Sequence, residues 1–265
     1  MTAPSIPLPR RRARLGRYSL WQIRDFTINT AIVTIVLFGL LGALFIAQIH
    51  AQTEMFAATH RPLPPTLALH TYNELLSMFS FTAPILAMNG ILATDRVSGY
   101  TRFLFAKPLS VPAYYAQSLV VRLVGFIAVA CVMQALWGRF ESPALSWKFV
   151  VDMTAFVVTI GGIIFALSAL TKYDGLIAVM LMLLTALLRE RWMGSTGVLH
   201  AAAYVFPPLG RLNDVQSWFI GLDPLSDAAT GVPFPTKWFW WNVGYGLAAF
   251  AIGFAILRKR SLTKA

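Results

Sequence analysis

The chain has 265 residues, of which 57% are hydrophobic and only 12% charged, and its formal net charge is +11. Soluble domains average roughly 25% charged residues. The composition excludes a water-soluble globule and points to lipid as the solvent. It predicts an all-α polytopic membrane protein, one membrane domain over residues 1–265.

In chain order, residues 1–14 read as a disordered basic tail. Residues 15–30 read as an N-terminal interfacial helix. At 100° per residue, Leu15, Ser19, Leu20, Ile23 and Phe26 share one arc, and Arg17, Arg24 and Asp25 share the other. A cytoplasmic extension of the first span is the competing reading. The run that follows is too long for a signal-peptide core and has no A-x-A site behind it. It is read as a permanent span.

A helix crossing the bilayer needs about 20 mostly apolar residues. Residues 31–257 offer five clear stretches, 31–49, 75–94, 123–138, 153–171 and 238–257. A sixth, 176–188, is about 20 Å long at the helical rise, short of a bilayer core. Six transmembrane helices are expected. Residues 50–74 read as an outer loop. Pro84 is expected to kink the second span. Arg122, at the inner end of the third, is expected to snorkel. Residues 189–237, interrupted by five prolines, read as an outer region with one interfacial or re-entrant helix. Residues 258–265 form a basic cytoplasmic tail.

This threading places fifteen Lys and Arg on the side of the termini and seven on the other. That is the positive-inside asymmetry. It predicts that both termini are cytoplasmic, and it accounts for the basic charge through topology and membrane lipids without nucleic acid. Trp137, Trp147, Trp238, Trp240 and Trp241 fall where an outer aromatic belt belongs.

Motifs for intrinsic chemistry were sought. There is no G-x-x-x-x-G-K-[ST] loop, no H-E-x-x-H and no C-x-x-C. The four histidines are too dispersed for a local metal set, and Cys131 has no second cysteine to pair with. Gly194-Ser195-Thr196-Gly197 with His200 lacks the order of an intramembrane serine protease. The polar residues at depth, Asn89, Gln134 and Asp152, are candidates for a translocation path.

One insert between the second and third spans combines charge, Gly and Pro. Its key residues are Asp95, Arg96, Gly99, Arg102, Phe103, Leu104, Lys107, Pro108, Ser110 and Tyr114. Pro108 disfavours helix at Lys107 and turns the chain. Ser110 can cap a new helix whose first turn tolerates Pro112. Phe103, Leu104 and Phe105 form an apolar knob rimmed by Arg102 and Lys107.

The order Asp95, Gly99, Leu104, Pro108-Leu109-Ser110 and Tyr114-Tyr115 resembles the first cytoplasmic loop of the membrane subunits of type-2 ABC exporters. Where that family often carries a second acidic residue beside the Gly, this chain has Val97 and Ser98. The resemblance implies a cytoplasmic coupling helix that docks on a separate ABC ATPase subunit. It implies that ATP and magnesium bind that partner, that this chain binds no cofactor and catalyses no reaction, and that it pairs as a homodimer or with a similar permease. It also implies a bacterial or archaeal cytoplasmic (inner) membrane and an exported substrate. The alternative is an ATP-independent secondary transporter or channel, which would want embedded charges or inverted repeats.

Overall fold

A computed structural model describes residues 15–60, 67–92, 95, 110–141, 147–171, 173–204, 206–207, 209–220 and 234–259. Among these residues there is no strand. Ten α-helices are described: α1 Leu15–Phe26, α2 Ile32–Ala58, α3 Leu67–Met88, α4 Val111–Glu141, α5 Trp147–Leu170, α6 Asp174–Leu184, α7 Glu190–Met193, α8 Val198–Ala203, α9 Gly210–Ile220 and α10 Thr236–Lys259. Two π-helical turns, Thr27–Ala31 and Thr185–Arg189, join α1 to α2 and α6 to α7.

Among the described residues, four helical stretches are long and apolar enough to cross a membrane: Tyr18–Ala58, Val111–Trp137, Trp147–Leu170 and Thr236–Lys259. Their outward faces carry large exposed apolar side chains, among them Val36 and Leu40 on α2, Val120 and Val124 on α4 and Leu247 on α10. Water would penalise such faces and lipid tails solvate them. The chain is therefore a multi-pass membrane protein.

The boundaries differ from the sequence expectation in four places. First, Phe26, Ala31 and Ile32 all hold right-handed helical angles, so α1 runs into α2 without a break. This is the extension reading of residues 15–30. α1 turns Phe26 against Gly125 of α4, where a Cβ would lie 2.7 Å from the ring's Cδ1. Leu20 and Ile23 stay exposed. Second, most of the expected outer loop 50–74 is helix, because α2 persists to Ala58 and α3 begins at Leu67. Third, α3 ends at Met88 rather than at 94, because Gly90 adopts φ 71° and closes the helix. Fourth, helix continues from Asp174 through the π turn to Met193. That is about 30 Å of rise, so Arg189, Glu190 and Arg191 extend the short fifth stretch instead of ending it.

The core centres on α5, where Phe156, Ile164 and Phe165 are fully buried. Lipid is as apolar as leucine, so helices in a membrane gain most by close backbone approach and interhelical hydrogen bonds. α5 and α10 meet through glycines. A Cβ at Gly162 would overlap the Gly246 carbonyl, and one at Gly246 would lie 2.7 Å from the Thr159 Cα. A Cβ at Gly253 would lie 2.6 Å from Phe165 Cδ1. Trp137 belongs to this interior and not to an aromatic belt. It is buried, edge-on to Phe79 at 5.5 Å, and covers Gly42.

Gly246→Leu should prevent close α5–α10 packing, because the atoms in the way are backbone and cannot rotate aside. Overpacking at cores commonly costs ~1–3 kcal/mol and more where backbone must move. Gly244→Leu, which has open space within 4 Å, should leave the melting temperature of the purified protein near the parent's. Equal melting temperatures for both variants would contradict the backbone contact.

Candidate functional site

Two polar assemblies occupy opposite ends of the bundle. The first is built where α3 stops. The last carbonyls of a helix lack intrahelical donors. Here Arg122 of α4 donates from Nη1 to the Ala87 carbonyl at 2.6 Å and to the Asn89 carbonyl at 3.4 Å. The Gly90 N–H donates to Asp174 Oδ2 at 3.1 Å, and the Leu92 N–H donates to Ser168 Oγ at 3.1 Å. The exit of α3 is thus tied to α4, α5 and α6. The Arg122 guanidinium thus turns to the end of α3, where it also interacts with Asp25, Asp95 and Asp174.

Asp95 follows this turn, partly buried, and accepts a hydrogen bond from the Tyr115 hydroxyl at 3.3 Å. Ser110 is exposed just before α4, and its carbonyl accepts the Tyr114 N–H at 3.1 Å. Pro112 sits in the first turn of α4, where its missing N–H costs nothing. Tyr114 is buried, edge-on to Tyr18 at 6.2 Å and to Tyr115 at 5.1 Å. The two roots of the insert, Asp95 and Ser110–Tyr115, therefore meet at one end of the bundle. Arg96, Gly99, Arg102, Phe103, Leu104, Lys107 and Pro108 lie outside the described residues.

Between α1, α2, the α3 turn and α4 lies a cavity of about 530 Å³. Asp25, Asn89, Asp95 and Arg122 are among its lining residues. Asn89 is exposed here, in the turn after α3, rather than at mid-membrane depth. Its side chain also faces α6, where a Cβ at Gly175 would lie 2.6 Å from Asn89 Oδ1.

The second assembly lies toward the other end. The Tyr72 hydroxyl of α3 donates to the Gln134 amide oxygen of α4, and Tyr72 faces Asp152 of α5. Asp152 is 1% exposed, and its Oδ1 has no hydrogen-bond partner among the described residues. Further along α3, Ser77 donates to Gln216 Oε1 of α9 at 2.9 Å, and Gln216 Nε2 donates to the Ser80 hydroxyl at 2.8 Å. Gln216 is fully buried, so α9 is inserted among α3, α5 and α10 and does not lie on the surface.

Of the three path candidates, Gln134 and Asp152 are brought together by Tyr72, and Asn89 belongs to the first assembly. Tyr72 and Gln216 escaped the sequence reading because both fall in stretches too polar to score as spans. A tyrosine seven residues before Phe79 on an otherwise apolar helical face was the available signal for Tyr72.

Ser195 and His200 form no catalytic pair. The Ser195 hydroxyl donates to the Trp192 carbonyl at 2.6 Å, and a His200 ring nitrogen lies 3.1 Å from the Met193 carbonyl. Among the described residues no three His, Cys, Asp or Glu side chains are grouped to hold a metal. Compared with protein-family models, characterised proteins and solved structures, the chain matches none.

Burial pushes the Asp95 carboxyl up to about 6, with the Tyr115 hydrogen bond and the Arg122 charge opposing the rise and Asp25 adding to it. The folded chain then holds this proton more tightly than the unfolded chain. The Asp95 contribution to stability is full below the ordinary value of 3.8 and is lost as pH rises through about 6. Asp95→Asn should raise the melting temperature at pH 7.5 and leave it near the parent's at pH 3.5. A variant that tracks the parent at both pH values would contradict this burial.

Proposed function

We propose that the chain is the permease subunit of an ABC exporter, forming a substrate path driven by a separate ATPase. The observation that carries the reading is the insert after α3. It leaves and re-enters the bundle at one end, from roots held by Arg122, Asp174, Ser168 and Tyr115. A soluble motor must push on something that does not yield. A root tied to α4, α5 and α6 would pass a displacement into several helices at once. The six-span topology belongs to this proposal, with α3 and the α6–α7 rod as the second and fifth spans. So do cytoplasmic termini, pairing with a second permease copy and location in a bacterial or archaeal inner membrane.

In this reading Asp95, Arg96, Gly99, Arg102, Phe103, Leu104, Lys107, Pro108, Ser110 and Tyr114 form the coupling element. Asn89 serves its inner mouth, and Gln134 and Asp152 line the path. A second reading, an ATP-independent transporter or channel, is favoured by Asp152 alone, because embedded carboxylates mark ion and proton pathways.

The purified single chain should neither bind nor hydrolyse ATP, and it should co-purify with an ATPase whose activity it modulates. Phe103→Ala or Leu104→Ala should weaken that association, since interface anchors commonly contribute ~1–2 kcal/mol or more. Pro108→Ala should preserve association and hydrolysis and reduce transport. Transport by the chain alone in liposomes, abolished by Asp152→Asn, would establish the second reading instead.

Topology has its own check. In a Cys131→Ser background, a cysteine at Thr59 should be labelled from outside and one at Thr263 only after permeabilisation. External labelling of position 263 would refute the six-span arrangement.

A further inference from the structure

Two carboxylates sit deep in the described bundle, and they are treated differently. Asp174, 2% exposed, accepts the Gly90 N–H at 3.1 Å. Asp152, 1% exposed, accepts nothing at Oδ1 and makes no ion pair among the described residues. It lies between the buried Phe149 and Phe156, about one turn to either side on α5. A bare carboxylate without a donor or a cation is among the costliest groups to bury, so it either takes a counter-charge or loses its own.

Among the described residues no cation is directed at it. From α3 it faces Tyr72, whose hydroxyl donates to Gln134 of α4, a group that does not titrate. On α5 itself, Lys148 carries its ammonium to the Trp218 ring, 5.1 Å from the centroid. On α9, Arg211 pairs with Asp214 at 3.1 Å, and on α10 Lys237 lies 4.9 Å from the centre of the Trp238 ring. The positive end of α5 does not serve either, because the helix field fades within the first turn and Asp152 is the sixth residue. A metal cation takes several oxygen ligands. No group of three His, Cys, Asp or Glu is present among the described residues, and Oδ1 is closed in by protein. A proton needs neither a ligand shell nor a void.

We infer that Asp152 is a proton-binding site, filled while this end of the bundle is closed and emptied when water reaches it. The neutral acid avoids the cost of burying a charge, so the closed packing holds the proton. On opening, the Asp152 O–H bond breaks, the proton passes to water and the carboxylate is solvated. Opening is thereby coupled to the release of one proton and is favoured as pH rises. The inference rests on neither reading of function, since the site can be filled or empty in a chain that transports with or without an ATPase.

Infrared spectroscopy of the full chain in lipid nanodiscs at pH 7.5 reads the site. An Asp95→Asn background keeps the other raised carboxyl out of the spectrum. The parent should show the carbonyl stretch of a protonated carboxylic acid, and Asp152→Asn should lack it. Asp152→Asn copies the shape of the neutral acid, so its melting temperature should match the parent's. A large drop would mean that an ion pair had been lost and would overturn the inference. Opening is read by a reporter cysteine in a Cys131→Ser background, Ala155→Cys on α5 or Ala83→Cys on α3, both at positions 1% exposed. The ratio of its maleimide labelling rate with Asp152 to that with Asp152→Asn should rise about tenfold per pH unit between pH 6 and 8, the linkage of one proton. Ionisation of the thiol cancels in the ratio. An absent acid band, a band that persists in Asp152→Asn, or a ratio that does not change with pH would each overturn the inference.

Discussion

The end of α3 is the constraint on which the rest of the architecture turns. A helix that stops near a bilayer exposes backbone carbonyls and amides where water is scarce, and each needs a partner. The chain supplies those partners from three other helices. Arg122 takes the Ala87 carbonyl, Asp174 takes the Gly90 amide and Ser168 takes the Leu92 amide. Satisfying one helix end therefore fixes the relative placement of α3, α4, α5 and α6. It also sets where the charged insert leaves the bundle.

The helix pair α5–α10 obeys the other rule of apolar solvents. Burial of apolar surface gives little advantage over lipid, so shape and polar contacts decide which helices meet. Gly162 and Gly246 let two backbones touch, and no larger residue would permit the approach. Gln216 holds α9 against Ser77 and Ser80 by the complementary means, a buried side-chain amide used at both its oxygen and its nitrogen. Both devices locate helices without any continuous hydrophobic seam.

Hydropathy made α10 legible to within two residues at each end and α5 to within one at its C-terminus, though Lys148 and Asp152 hid the first six residues of α5. It failed where polarity is interior. The 31-residue α4 read as a short span because Arg122 was taken as its border, whereas the guanidinium is held against the Ala87 carbonyl within the helix bundle. The outer part of α3 read as loop because Tyr72, Asn73 and Glu74 interrupt the apolar pattern, yet Tyr72 is buried against Gln134. The π turns Thr27–Ala31 and Thr185–Arg189 have no sequence signature and depend on packing. Of the candidate site, the roots of the insert were readable from charge and proline placement. The carboxylate group around Arg122 was not, since Asp25, Asp95 and Asp174 are separated by long stretches of chain and meet only in three dimensions.

That group changes the meaning of the charge at this end. Counting Lys and Arg treats every cation as a topological anchor at the headgroups. Arg122 is a different species, a partly buried cation that accepts its position because helix carbonyls and nearby carboxylates interact with it. Removing it from the anchoring set leaves the inside excess intact. The carboxylates that face it, Asp25, Asp95 and Asp174, come from separate parts of the chain, so the overall +11 says nothing of the charge balance around this one helix end.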